Sequence, residues 1–382
     1  MYDIHDYGSM IADTVRTSAY AEALRRAITQ GSVVLDIGTG PGIWALLACA
    51  YGARRVYAIE PNAIIQVARE IAAANGCADR IEFIQGRSTE IALPERVDVI
   101  VAEIHGVLPL LGPSVRSIVD ARRRFLAPGG VLIPRRETLW AAVVDAAEFH
   151  RRHTSPWQEG YHGLDLRPGL GRAVNMWAPG RAKPEQLLTE ARCWATLDYT
   201  TLEEPDVRGE SSWAVSTAGT AHGLSLWFDA MPDDGAALSN APGAPELVYG
   251  RAFFPWPEPV PLAVGDTVAA TVYAKLVGDQ YVWNWESRAL AAGDPADVKA
   301  CFKQSTFWSQ CPSPARLRKR ASDHVPALNE EGLIDRFFLM QVDGKTSAVE
   351  IARRLALRFP DRFPVWEDAL AHLDERVERR GW

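Results

Sequence analysis

Three glycines and two acids near the start of the chain have the types and the spacing of a nucleoside-binding site. Gly38, Gly40 and Gly42 alternate with other residues directly after the apolar run that contains Asp36, and Glu60 ends the next short apolar run. Glycines in such a turn allow a ligand to approach the backbone, and a carboxylate at the end of the following strand suits the two hydroxyls of a ribose. The chemistry indicated is the binding of a nucleoside cofactor.

These residues need a strand, a tight turn and a helix to bring them together. The apolar run 33–37 predicts a strand, the small apolar residues at 45–50 predict a helix, and a glycine ends that helix before a second strand. A further apolar run at 97–102 is typical of a central parallel strand that is buried on both faces. This strand places Glu103 and His105 at the carboxyl end of the sheet, where the sites of α/β proteins lie.

The glycine spacing separates two classes of nucleoside ligand. A dinucleotide fingerprint would have its third glycine at Ile43, whereas the pattern D-x-G-x-G-x-G with an acid ending the next strand resembles the S-adenosyl-L-methionine (SAM) site of class I methyltransferases. This resemblance implies a SAM cofactor, with S-adenosyl-L-homocysteine (SAH) as its product. A glycine-rich turn without a ligand is the alternative. The implied cofactor-binding residues in this region are Asp36, Gly38, Gly40, Gly42, Glu60 and Pro61.

The segment YGSMIADTVRTSAY at residues 7–20 is similar to the one that precedes the SAM site in protein arginine methyltransferases. That resemblance implies that Met10 stacks near the cofactor, that Arg16 pairs with its carboxylate, and that Tyr7 belongs to the same site. A guanidinium suits a carboxylate because it donates two parallel hydrogen bonds. The family prefers an acid at the second of the two positions that hold the adenine edge. The matching residues here are Ser88 and Thr89.

β segments separated by Pro, Gly and Asp turns follow from Thr138 onward. A β-rich half fused to a SAM-binding core again resembles the arginine methyltransferases, and the resemblance covers roughly residues 1–290. We therefore predict an α/β Rossmann-like SAM-binding core with N-terminal helices at 1–136, followed by a β-barrel-like substrate and dimerisation domain at 137–290. The resemblance implies that residues 157–183 are a dimerisation arm and that the protein is a homodimer.

Residues 291–382 predict a linker and a small helical module that looks like a winged helix. The segment 333–342 is apolar, a turn follows, and Ser347 with Glu350 forms a capping box that opens a helix. The pattern from 365 to 377 predicts another amphipathic helix. Two roles are open for this module: it recognises a peptide, as in the peptide-maturation enzymes that it resembles, or it packs against the barrel.

Methyl transfer requires a nucleophile held close to the methyl group and stabilisation of the moving charge. Arginine methyltransferases grip a guanidinium with two glutamates beside a Thr-His-Trp motif; Glu103 matches the first glutamate, and Gly112 stands at the second position. The motif position reads Leu-Val-Tyr at 247–249, and each charge-assisted hydrogen bond lost is worth about 1.5–3 kcal/mol. His105 either takes a proton from the acceptor or is a hydrogen-bonded loop residue. Further acids on predicted barrel loops are candidates for a negative cleft: Glu246, Glu258, Asp279 and Glu286.

The composition argues against several function classes. The 382 residues are 47% apolar, which is enough to form cores, and a formal net charge of −7 argues against a nucleic-acid-binding surface. The sequence shows neither a long apolar stretch nor an export signal, so we expect a cytoplasmic protein without a membrane span. The five cysteines are scattered without metal-ligand spacing, so we expect no metal site.

The predicted function is SAM-dependent methylation of an amine or guanidinium-type nitrogen, carried by a small molecule, a peptide or a protein. Glu103 and His105 are the predicted catalytic residues. One alternative is O-methylation of a peptide in natural-product maturation, although an acid in the cleft disfavours a carboxylate acceptor. The other is a SAM-binding regulator without turnover, which has no need of an acid beside the methyl group.

Overall fold

The computed structural model describes residues 2–233, 235–294 and 296–380. Two compact units divide the chain, residues 1–310 and residues 311–382. The first unit carries a parallel sheet and two antiparallel sheets, and the described part of the second unit is helical.

The first unit opens with two helices and continues with alternating strands and helices. These elements are α1 Ile4–Ala12, α2 Thr14–Ala27, β1 Val33–Ile37, α3 Ile43–Ala50, β2 Arg55–Glu60, α4 Ile65–Ala74, β3 Ile81–Gln85, β4 Val97–Val101, α5 Ser114–Phe125 and β5 Leu126–Ile133. Their strands form a parallel sheet in the order β3-β2-β1-β4-β5, which confirms the predicted Rossmann-like core. Because the strand order reverses between β1 and β4, the carboxyl ends of these two strands form the crevice where ligands of α/β proteins bind.

The centre of this sheet is apolar because neighbouring strands and covering helices exclude water from it. Every residue of β1 is buried, as is most of β4, which explains the nearly continuous apolar runs in both segments. Tyr20 of α2 stacks on Trp44 of α3 with ring centroids 5.3 Å apart. This stacking joins the N-terminal helices to the helix that follows the glycine turn.

The second half of the first unit is mostly antiparallel. Its elements are β6 Arg136–Val144, α6 Ala147–Gln158, α7 Arg167–Ala173, β7 Ala178–Gly180, β8 Arg192–Asp198, β9 Val207–Ala214, β10 Gly219–Asp233, β11 Ala236–Ser239, β12 Arg251–Leu262, β13 Thr267–Val277, β14 Gln280–Leu290, β15 Val298–Ser305 and α8 Thr306–Ser309. One sheet has the order β7-β12-β10-β6-β8 with β11 beside β10, and the other has the order β15-β14-β13-β9. Phe254 of β12 contacts Trp283 and Trp285 of β14, with ring centroids 5.3 and 5.1 Å apart, so the two sheets share an aromatic core.

This antiparallel region extends further along the chain than the sequence indicates. Strand β15 pairs with β14 as far as Ser305. Strand pairing therefore continues beyond residue 290, where the family resemblance ends and the predicted β-rich domain stops.

The second unit consists of helices over its described residues. They are α9 Pro314–Arg318, α10 Glu330–Gln341, α11 Ala348–Arg358 and α12 Trp366–Arg380. The Ser347 side chain accepts a hydrogen bond from the Glu350 amide at 3.3 Å, so the predicted cap of α11 forms. A buried cluster that includes Ile334, Phe338 and Leu355 holds the helices together. The winged-helix prediction is not supported, because a wing is a β-hairpin and the described residues of 311–380 form no strand.

Among the described residues there is neither a candidate membrane-spanning helix nor a candidate metal cluster. None of the helices there combines the length and the hydropathy that crossing a membrane requires. Nor do three or more His, Cys, Asp or Glu side chains come together there as ligands for a metal ion.

Candidate active site

A cavity of about 570 Å³ opens at the carboxyl ends of β1, β2 and β4. Its walls come from the glycine turn after β1, the end of β2, the loop after β4, the helices α1 and α2, and residues 248 and 249. Most of the residues that the sequence singles out meet on its surface. They are Tyr7, Met10, Arg16, Gly38, Gly40, Glu60, Pro61, Glu103 and His105.

The turn between β1 and α3 depends on glycine. Gly38, Gly40 and Gly42 have φ values of 71°, 52° and 90°, which side chains rarely adopt. A Cβ atom on Gly38 would lie 2.5 Å from the Ile104 side chain, and one on Gly40 would lie 2.9 Å from the Tyr7 ring. Bare backbone therefore forms this wall of the cavity.

Asp36 holds the turn from below and is fully buried. Its Oδ2 accepts hydrogen bonds from the Thr39 hydroxyl at 2.5 Å and from the Ala45 amide at 3.1 Å. Its Oδ1 has no hydrogen-bond partner among the described residues. Burial raises the pKa of Asp36 to about 7, even though the two hydrogen bonds lower it. Asp36 therefore joins the end of β1 to the start of α3, behind the cavity wall.

Glu60, at the end of β2, faces the cavity from the other side of the turn and is 5% exposed. Its Oε2 accepts a hydrogen bond from the Gly40 backbone amide at 3.2 Å. Its Oε1 accepts hydrogen bonds from the backbone amide of Asn62 at 3.0 Å and from the side-chain amide of Asn62 at 2.6 Å. Burial raises the pKa of Tyr7 to about 12, and the charge of Glu60 adds to that effect. Each oxygen of a carboxylate can accept two hydrogen bonds, so Oε2 keeps capacity for a ligand hydroxyl.

Glu103, in the loop after β4, is held by side chains from two other regions. Arg16 donates from Nη2 to Glu103 Oε2, and the Tyr249 hydroxyl donates to Glu103 Oε1. Arg16 also donates from Nη1 to the Met10 carbonyl at 2.6 Å and from Nε to the Tyr249 hydroxyl at 3.1 Å. Burial lowers the pKa of Arg16, but Glu103 and Tyr249 outweigh burial and raise it above its usual range. The Arg16–Glu103 ion pair thus connects the α1 backbone at Met10 to the loop after β4.

His105 borders the same cavity, but its side chain is only 1% exposed. Its Nε2 contacts Glu137 Oε1, and its Nδ1 lies 3.8 Å from Glu103 Oε1. Both ring nitrogens lie near acids, neither has a hydrogen-bond partner among the described residues, and the ring is closed to solvent. The role of His105 in taking a proton from the acceptor stays a prediction.

The structure does not bring Ser88 and Thr89 to the lining of the cavity among the described residues. They lie in a 3₁₀ turn after β3, where Ser88 is buried and Thr89 is exposed. The Ser88 carbonyl accepts a hydrogen bond from Arg124 at 2.6 Å. Their role at an adenine edge stays a prediction.

The candidate acids do not restore a second acid beside Glu103, and two of them, Glu258 and Glu286, lie within strands β12 and β14 rather than on the predicted loops. Glu246 pairs with Arg181, Asp279 with Arg87, and Glu286 with Lys303, while Glu258 is exposed. The acids that line the cavity within the described residues are Asp6, Glu60 and Glu103. The position of Gly112 therefore stays without a carboxylate from these loops.

Two residues of this site escaped the sequence analysis. Tyr249 stands at the motif position that we interpreted only as a loss, yet its hydroxyl binds Glu103. Glu137 lies between Arg136 and Thr138 at the start of strand β6 and is fully buried. A buried acid needs a partner in the core, but the polar residues on either side of Glu137 gave no signal of this burial in the sequence.

The sequence of this chain is similar to those of known methyltransferases. The family model for ribosomal protein L11 methyltransferase (PrmA) matches residues 14–156. Protein arginine N-methyltransferase 6 of Xenopus laevis is 32% identical over 238 residues, which cover 59% of this chain and 70% of that protein. The chain belongs to the protein arginine methyltransferase family.

Other arginine methyltransferases give a consistent result. Probable histone-arginine methyltransferase CARM1 of Oryza sativa subsp. indica is 32% identical over 269 residues, 63% of this chain and 50% of that protein, so the chain spans about half of this relative. The solved structure of Arabidopsis thaliana protein arginine methyltransferase 10 has a TM-score of 0.70 at 24% identity, covering 79% of this chain and 97% of that one. The Trypanosoma brucei PRMT1 enzyme–prozyme complex with AdoHcy has a TM-score of 0.70 at 22% identity, covering 80% and 98%. These likenesses show the fold.

Arginine methyltransferases are SAM-dependent enzymes, so the predicted enzyme class and cofactor are those of the family. The cavity fits SAM chemically. Glycine backbone leaves room at Gly38 and Gly40, where side chains would clash, and Glu60 offers a carboxylate for ribose hydroxyls. Arg16 offers a guanidinium for a carboxylate.

Proposed function

We propose that the chain transfers a methyl group from SAM to an amine or guanidinium-type nitrogen of a peptide, protein or small molecule. The observation that supports this proposal is the position of Glu103. Its carboxylate lines the same cavity as the glycine turn and Glu60, and it is held there by Arg16 and Tyr249. A buried, oriented acid beside a nucleoside site suits an acceptor that carries N–H groups.

In this proposal each lining residue has a separate role. Glu60 accepts hydrogen bonds from the ribose hydroxyls, Gly38 and Gly40 admit the cofactor, and Arg16 binds its carboxylate while keeping Glu103 in place. When bound, SAM supplies a methyl group on a positively charged sulfur, and SAH remains after the transfer. Glu103 accepts a hydrogen bond from an N–H group of the acceptor, which orients the nitrogen. The carboxylate also stabilises the positive charge that the nitrogen gains.

A single acid at the acceptor position sets limits on the acceptor. Glu103 can hold one edge of a guanidinium or one ammonium group, and Gly112 supplies no second carboxylate. A carboxylate acceptor is disfavoured because its charge would face Glu103. The acceptor is therefore a nitrogen rather than a carboxylate oxygen.

We further propose that the protein is a homodimer formed through residues 157–183. This arm contains part of α6, the helix α7 and the strand β7. It exposes large apolar side chains, with Trp157 39%, Tyr161 66%, Leu164 61% and Met176 49% accessible. Analytical ultracentrifugation of the intact chain tests this: a dimer that dissociates on replacing Tyr161 and Leu164 by Ser supports it, and a monomer at micromolar concentration contradicts it.

The proposed activity is tested by mass spectrometry. The chain is incubated with SAM and unstructured peptides that carry arginine or lysine, or with free arginine and polyamines, and a mass gain of one methyl group is sought. Glu103→Gln should abolish the gain while SAH still binds in calorimetry. The matched control is Glu70→Gln, which removes an exposed acid on α4. Equal turnover by wild type and Glu103→Gln would contradict the role of Glu103.

A further inference from the structure

A group of buried titratable side chains adjoins Glu103 and is closed to solvent. Glu137 of β6 is fully buried, and its Oε1 contacts Nε2 of His105. Tyr199, which follows β8, donates a hydrogen bond to Glu137 Oε2 at 2.5 Å. On the other side of the ring, His105 Nδ1 lies 3.8 Å from Glu103 Oε1. The imidazole therefore lies between two carboxylates, one in the core and one on the cavity wall.

An acid beside each ring nitrogen favours a doubly protonated imidazole. A neutral imidazole carries one N–H, so its other nitrogen would present a lone pair to a carboxylate. The charge of Glu137, buried without an opposite charge, would also cost several kcal/mol. Burial lowers the pKa of His105, but the charges of Glu137 and Glu103 outweigh burial and raise it above its usual value.

The charged groups around the imidazole act on it in both directions. Arg16 opposes protonation of His105, whereas Glu103 and Glu137 favour it. The groups that face His105 or its partner Glu137 are Arg16 and Tyr20 from α2, Glu103 from the loop after β4, Tyr199 after β8, Phe228 from β10 and Tyr249 before β12.

We propose that the buried pair of His105 and Glu137 positions Glu103 for the acceptor. Glu137 lies against one nitrogen of the imidazole, and the other nitrogen lies 3.8 Å from the Glu103 carboxylate, which Arg16 and Tyr249 hold from other directions. The inference rests on the acceptor-binding role of Glu103 proposed above. Because Gly112 leaves this carboxylate without a second acid, the orientation of Glu103 decides how the acceptor is held. His105 and Glu137 are positioning residues, since the His105 side chain is only 1% exposed and Glu137 does not line the cavity among the described residues.

The charge of His105 can be tested without any acceptor. Wild type and Glu137→Gln, both labelled with ¹⁵N-histidine, are titrated by NMR with SAH present, and the His105 signal among the eight histidines is assigned with His105→Gln. We expect a doubly protonated ring at pH 7 in wild type and a midpoint lower by about one to three pH units in Glu137→Gln. Equal midpoints, or a neutral ring in wild type at pH 7, would overturn the proposal.

Another histidine provides a matched control for the titration. His222 Nδ1 lies 3.2 Å from Asp145 Oδ1, and neither residue lines the cavity among the described residues. Asp145→Asn should change the His222 signal and leave the His105 signal and methyl transfer unchanged. A His105 midpoint that moves in Asp145→Asn as far as in Glu137→Gln would overturn the specific link between Glu137 and His105.

The positioning role is tested by kinetics with an arginine-containing peptide as the probe. We expect at least a tenfold loss of kcat at pH 7.5 in Glu137→Gln, with an unchanged KM for SAM. The alkaline limb of the profile of kcat against pH should also move to lower pH. A merely structural role would lower kcat equally at all pH values. The double variant His105→Leu/Glu137→Leu removes both charges together; it should bind SAH, keep a low kcat and lose the alkaline limb. Wild-type kcat in a folded double variant would overturn the proposal.

A failure of the proposed function gives a different pattern of results. If wild type methylates none of the probes, the NMR titration still decides whether Glu137 holds a charged imidazole against Glu103. A neutral His105 in an active wild-type enzyme rejects the positioning pair alone. The two outcomes are therefore distinguishable.

Discussion

Arg16 of α2 and Glu103 of the loop after β4 form an ion pair between side chains that are each only 7% exposed. The pair connects an N-terminal helix to the carboxyl end of the central parallel strand. Because Arg16 also binds the Met10 carbonyl, the same guanidinium anchors the end of α1 beside the cavity. A single residue thus connects α1, α2 and the loop after β4 at the cavity.

Replacing Arg16 by Ala should destabilise the fold and weaken SAH binding together. Removal of one partner from a buried ion pair leaves an uncompensated charge, which typically costs about 3–5 kcal/mol. Urea unfolding measures the free energy of unfolding, and calorimetry measures SAH affinity. Arg25→Ala, which removes an exposed arginine from the same helix, should leave both unchanged. An Arg16→Ala variant as stable as wild type would contradict the prediction.

Replacing Glu60 by Ala should reduce SAH affinity at least tenfold with little change in acceptor chemistry. The carboxylate is the predicted partner of the ribose hydroxyls, and one charge-assisted hydrogen bond is worth about 1.5–3 kcal/mol. Calorimetry with SAH provides the measurement, and Glu70→Ala on the exposed face of α4 serves as the control. Unchanged affinity in Glu60→Ala would place the nucleoside elsewhere.

Replacing Gly40 by Ala should weaken SAH binding because the new Cβ would lie 2.9 Å from the Tyr7 ring. Gly76 offers a matched control, since its φ of 65° is also positive but nothing lies within 4 Å of a Cβ there. Both variants should lose about 1–2 kcal/mol of stability from backbone strain. Loss of SAH affinity only in Gly40→Ala supports the close-approach interpretation, and equal affinities in the two variants contradict it.

As pH rises from about 4 to about 7, the free energy of unfolding of wild type should fall relative to that of Asp36→Asn. Its pKa is raised to about 7 in the folded chain from a usual value of 3.8, so the folded chain holds a proton that the unfolded chain releases. This contribution is complete below the unfolded pKa and is lost as pH rises through the folded pKa. The difference between the two proteins should change by up to about 1.4 kcal/mol per pH unit in this window. Urea unfolding at several pH values gives the slope, and a constant difference would contradict the prediction.

Local patterns in the sequence were sufficient for the core of the site. The run from β1 through the glycine turn to Glu60 is one continuous stretch, and its glycines and apolar residues are needed by the local backbone itself. The same is true of the cap at Ser347, where a side chain bonds an amide three residues along the chain. Such features depend on neighbours in sequence, so the sequence predicts them.

Other features depend on contacts between distant segments and could not be predicted. The extension of the antiparallel region to Ser305 follows from the pairing of β15 with β14, which no local signal indicates. Over its described residues the second unit forms helices and no strand, and its apolar residues close a helical core. The candidate acids Asp279, Glu246 and Glu286 form ion pairs with arginines and a lysine that only folding brings near them.

The sequence by itself determined the nucleoside turn, the acid at Glu103 and the family, because these depend on residue types at short spacing. Only the tertiary structure decided what surrounds Glu103. Arg16, Tyr249 and the His105–Glu137 pair come from separate helices, strands and loops, and they meet because sheet order and packing bring those segments together. The electrostatic surroundings and the burial of the Glu103 carboxylate depend on contacts between these distant segments, so no single stretch of sequence predicts them.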